Sequence, residues 1–171
     1  MSHIDEIIQV AKSYLGQEEI QPNLGFKDPD FNKKMDAIGF YKGASWCGFF
    51  VMLVLNQAYA DAPEILAYLH KYLSASAHQM WLNFRASKEI ITGQVPKLGA
   101  VVIWQEGEGL SGHTGIVTSV DPDGKHFVSM EGNTNGAGGR EGYRVWNNLH
   151  LIGQPHSEKG LNLLGFGYMP E

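Results

Sequence analysis

The chain has 171 residues, 43% of them hydrophobic and 18% charged, with a formal net charge of −5. That composition excludes an intrinsically disordered chain, which is apolar-poor and charge-rich, and the length suits one domain able to bury a core without disulfide or metal staples. The 13 Lys and Arg are scattered and the longest apolar run, residues 46–55, is short; nucleic acid is therefore not an expected partner, and neither is membrane insertion, which takes roughly 18 apolar residues.

In chain order, Ile4, Ile7, Ile8, Ala11 and Leu15 recur at helical spacing and predict a first helix ending near Gly16. Asp5 and Glu6 stand where a secretory leader would be basic, so no leader is expected at this end. Residues 17–43 hold Pro22, Pro29, Gly25 and Gly39 and read as a long loop with a short helix over 31–38. Loops of that length in a compact domain usually serve function or cover something. Ser45 then precedes an apolar run over 46–59, a helix destined for the core. Pro63 opens a helix with Ile65, Tyr68, Leu69, Tyr72 and Leu73 on one stripe, and Ser76 with Gln79 suggests a capping box for another reaching about Ala86.

Only five of the 21 glycines precede residue 90, so the second half is predicted to be strands and turns. Strand candidates are 100–104, 113–120, 126–131, 143–146 and 163–169, with Asp121-Pro122-Asp123-Gly124 as the turn of a hairpin. Helices followed by strands argue for an α+β domain over 1–171, with N-terminal helices packed on a mostly antiparallel sheet of about five strands.

The single cysteine, Cys47, excludes a disulfide framework and any zinc site built on several thiolates. No His pair has the spacing of a helical zinc site, so no metal is expected. A lone cysteine is most often a small buried hydrophobe. Capped by Ser45, however, Cys47 lies in a first helical turn, where free N–H groups and the dipole favour a thiolate, and Gly48 is expected to leave room for a substrate. His113 opens one hairpin strand, and Glu131 and Asn133, two apart, end the other beside it. Extended backbone would point both to one face. A thiol, an imidazole and an orienting carboxylate or amide are the parts of nucleophilic acyl transfer. Trp46 and Trp104 are candidate cleft aromatics that could contact substrate.

Trp46-Cys47 heading an apolar helix, Gly112-His113-Thr114-Gly115-Ile116-Val117 and Glu131-Gly132-Asn133-Thr134-Asn135 together resemble the CHAP family, the cysteine, histidine-dependent amidohydrolases and peptidases. The resemblance extends over nearly the whole chain, and it implies a papain-like fold that cleaves amide bonds in peptidoglycan without a cofactor. It makes Cys47 the nucleophile, His113 the general base and then acid, Glu131 the orienting group and Asn133 a fourth polar member. Leu98-Gly99-Ala100 departs from the Pro-Gly-Asp common in the family, and Asp28, Asp30 and Asp36 lack the spacing of the calcium loop some members carry. Two other readings remain: a small-amide hydrolase of the glutathionylspermidine-amidase type, and an inactive wall-binding module, against which the retained Cys47 and His113 count. A wall substrate without an export signal implies synthesis in the cytoplasm and release by lysis or a secretion system, with an immunity or export partner.

Overall fold

The computed structural model describes residues 1–136 and 142–171. Among these, the helices are α1 (His3–Ser13), α2 (Pro29–Ala37), α3 (Cys47–Ala58), α4 (Pro63–Leu69) and α5 (Ala77–Ala86). The strands are β1 (Ile91–Gly93), β2 (Val101–Glu106), β3 (Gly112–Val120), β4 (His126–Thr134), β5 (Arg144–Leu151) and β6 (Leu161–Tyr168). They form one sheet in the order β1-β6-β2-β3-β4-β5, with every neighbouring pair antiparallel. The expected α+β layering holds, with six strands in place of about five. The additional one, β1, is a three-residue edge strand, too short for any periodicity to announce.

Local chemistry explains the helix boundaries. Ser2 and Asp5 close a capping box on α1. Asp28 caps α2 through the N–H groups of Asp30 and Phe31, and Pro29 occupies the first turn, where its missing N–H costs nothing. Those N–H groups, Phe31 first and then the Gln17 amide, hold the Asp28 carboxyl below its usual range. Helix α3 starts otherwise than expected: Trp46, not Ser45, is its N-cap, and it makes no side-chain cap bond.

Two apolar layers flank the sheet. Val101, Ile103, Ile116 and Met130 face the helices and pack with Phe50, Val54, Leu55 and Phe84. Val102, Trp104, Val117, Phe127 and Phe166 form a second cluster on the opposite face. Strands lie about 4.8 Å apart, so a flat sheet would separate β4 from β6 by roughly 14 Å. Yet the Phe127 ring on β4 and the Phe166 ring on β6 have centroids 5.2 Å apart. The sheet therefore curls around its second face, and the polar side chains of the candidate site lie on that same face.

The long loop braces the start of α3. Glu19 is buried, bridges to Phe26 through the backbone, and accepts the Trp46 indole N–H at 2.6 Å. Phe26 and Phe31 close over the same indole at centroid distances of 4.9 and 6.4 Å.

Candidate active site

Cys47 is the first residue of α3 and only 4% exposed. The N-cap Trp46 makes no side-chain cap bond, and among the described residues no side chain takes the first-turn N–H groups beside the thiol. The neighbours of Cys47 correct two expectations. Trp46 has no exposed surface and its indole N–H is already taken by Glu19, so it is a core residue and not a cleft aromatic. At Gly48, a Cβ would lie 2.2 Å from the Ala75 carbonyl oxygen, so this glycine serves the packing of the α4–α5 connection against α3, leaving no room there for substrate.

His113 lies opposite Trp104 in the β2–β3 register, which puts both side chains on the curled face. The imidazole is fully buried and stacks on Trp104 at 5.9 Å. Its Nε2 meets Glu131 Oε2 at 2.8 Å. The Nδ1 completes no hydrogen bond among the described residues, and the Cys47 thiol is the other group that acts on the ring. Burial disfavours the charged ring, but the thiol and the Glu131 carboxylate outweigh it and push the imidazole up to about 10.

Glu131 reaches His113 because Gly115 lies between them. A Cβ at position 115 would be 2.6 Å from Glu131 Cγ and 2.8 Å from the Met130 carbonyl oxygen. The carboxylate is fully buried, and four donors occupy it. Oε2 takes His113 and Asn148 Nδ2, both at 2.8 Å, while Oε1 takes Ser129 Oγ and His150 Nε2, both at 2.5 Å. Burial alone would raise its pKa, yet the two imidazoles override burial and keep it ionised far below the usual carboxylate range.

Asn133 is buried as well, but not by the expected alternation. Its φ is 57°, and the β4–β5 register shifts between Glu131 and Thr134. The bulge breaks the two-residue period, so Glu131 and Asn133 do not share a face merely by being two apart. Glu131 is the one whose side chain bonds the imidazole. Of the glycine-rich stretch after Asn133, Gly138 and Gly139 lie outside the described residues. Trp104 is 5% exposed and backs the His113 ring. Its outer edge lines, with His150, Gln154 and His156, a cavity of about 320 Å³.

Ser129, Asn148 and His150 were not anticipated from sequence. Asn148 and His150 stand two apart on β5 and so share a face, but nothing in the sequence says that the face opposes Glu131. Acidic side chains of the long loop are occupied locally: Asp28 caps α2, and Asp36 accepts the Asn32 amide. Asp121, Asp123 and His126 come within 4.8 Å of one another at the β3–β4 turn, where Asp123 already binds His126.

A cysteine at a helix start, a strand imidazole on which it acts and a carboxylate behind that imidazole lie together in this α+β fold. The chain belongs to the CHAP family: the model of the CHAP domain matches residues 39–133, more than half of the chain and a span that contains Cys47, His113, Glu131 and Asn133. At the level of class it is thereby a hydrolase of the peptidoglycan-related amidase and peptidase type. No curated protein and no solved structure matches the chain. No helix among the described residues is long and apolar enough to cross a membrane.

Proposed function

We propose that the protein hydrolyses an amide bond of peptidoglycan, either the glycan–peptide linkage or one within the stem or cross-bridge, with Cys47 as nucleophile. The observation that carries this reading is the buried His113–Glu131 pair at 2.8 Å beside the thiol at the head of α3. In the proposed reaction the Cys47 thiolate attacks the carbonyl carbon and the first-turn N–H groups receive the developing oxyanion. The His113 imidazolium then gives its proton to the departing amine. Water, deprotonated by the neutral imidazole, cleaves the thioester and restores the free enzyme. Glu131 holds the ring in line and supports its charge while the imidazolium exists.

The substrate lies outside the cytoplasm, so the proposal includes delivery by lysis or a secretion system. Purified cell walls test the chemistry. Release of free amines without new reducing sugar ends is the expected result, and Cys47→Ala should abolish it while thermal unfolding stays cooperative. Turnover by that variant near the parent level would reject Cys47 as nucleophile. Inactivity of the parent on walls, with turnover of small amides instead, would move the substrate to the glutathionylspermidine type.

A further inference from the structure

The reaction proposed above uses three side chains, yet a second imidazole sits on the same carboxylate. His150 Nε2 is 2.5 Å from Glu131 Oε1, across the carboxylate from the oxygen that binds His113. Glu131 is ionised, so His150 Nε2 carries the proton and donates it. The ring packs against two others that also touch each other, with the Trp104 centroid at 4.6 Å and the Phe127 centroid at 5.4 Å. It keeps 15% of its side-chain surface and borders the cavity beside Trp104. A surface histidine has no need of such a mount, and a buried carboxylate already bound by Ser129, Asn148 and His113 has one acceptor position left for it.

We propose that His150 is a positioning residue for the hydrolysis, fixing Glu131 from behind and drawing off part of its charge so that His113 is oriented without being held too basic. The inference rests on the thiol mechanism. An imidazolium must first support the thiolate and then surrender its proton to the leaving amine, and a carboxylate undiluted by other donors would oppose the second step. Two titratable groups face His113: Cys47 from α3 and Glu131 from β4. His150 meets Glu131 from β4 and shares its cavity with one further titratable group, His156 from the segment after β5, and with Trp104, Leu161 and Leu163 from β2 and β6.

His150→Phe keeps a ring against Trp104 and Phe127 and removes the donor. Its effect is read on alkylation of Cys47 by iodoacetate, whose rate falls when the neighbouring imidazolium loses its charge. Brief pH jumps give the alkaline limb. Removing the donor concentrates the Glu131 charge on His113, so this limb should move upward by about one pH unit, with kcat on walls roughly tenfold lower and KM unchanged. His150→Gln, which retains an N–H donor, should restore most of both. A merely structural role would loosen Glu131 and move the limb downward or leave it in place; either result overturns the inference, as does a Gln variant no better than Phe. Alkylation needs no wall substrate, which separates the two levels of failure. A parent enzyme that alkylates like an ordinary exposed thiol removes the underlying mechanism, whereas a normal parent profile with an unmoved variant removes only the role of His150.

Discussion

At the residue scale, the choice between Glu131 and Asn133 turns on hydrogen bonding and backbone strain. Glu131 touches the imidazole and offers a full charge to it. Glu131→Gln should lower turnover on the order of 10²–10⁴-fold, the range for disturbed acid–base machinery, and shift the basic limb of the pH–rate profile downward. Asn133 calls for a different substitution. At φ 57° an alanine would add left-handed backbone strain of about 1–2 kcal/mol to the loss of the amide. Asn133→Gly removes the side chain alone, and it should cost less turnover than Glu131→Gln. Steady-state kinetics on solubilised wall fragments give the comparison; the reverse order of damage would pass the orienting role to Asn133.

At the scale of elements, the site depends on two close approaches. The first is β3 under the Glu131 side chain, made possible by Gly115. Gly115→Ala should displace the carboxylate and cost roughly 100-fold in kcat, as ångström-scale misplacement does, with overpacking lowering stability by about 1–3 kcal/mol. A variant with unaltered kcat would show that the carboxylate can occupy another path. The second is the clasp between the long loop and α3, where Glu19 takes the Trp46 indole N–H. Glu19→Leu leaves that donor unpaired in the core, a loss of about 1–3 kcal/mol by denaturant unfolding. Activity should fall beyond what the unfolded fraction explains, because the same residue holds the helix end that carries Cys47.

For the whole molecule, the buried ion pair makes stability depend on pH from both sides. Glu131 has its pKa lowered from 4.5 on folding, so its contribution is complete above that value and is lost as pH falls below it. His113 is raised from 6.5 to about 10, so its contribution is complete below 6.5 and is lost as pH rises through that interval. The two windows overlap between 4.5 and 6.5, where the thermal midpoint should be highest. Cys47→Ala removes one of the groups that raise His113 and should flatten the alkaline side in a thermal-shift series. Treatment with EDTA is expected to leave wall hydrolysis intact and iodoacetamide to eliminate it; loss to EDTA with recovery on adding calcium or zinc would bring a metal into the reaction.

Sequence alone determined what local physics controls. The amphipathic period of α1, the apolar run of α3 with its cysteine at the first turn, and the hairpin that brings His113 near Glu131 are all read within a few neighbouring residues. The family signature is legible for the same reason, since its motifs are contiguous. Tertiary structure decided the rest. Trp46 and Trp104 look alike in sequence, yet packing buries the first under Phe26 and Phe31 and sets the second behind the His113 ring. A bulge after Glu131 cancels the alternation that would have aligned Asn133 with it. Ser129, Asn148 and His150 become partners of one carboxylate because β4 and β5 pair in a particular register on the face around which the sheet curls. Register and curl are set by long-range packing, and a residue's own neighbours in the chain carry no record of them.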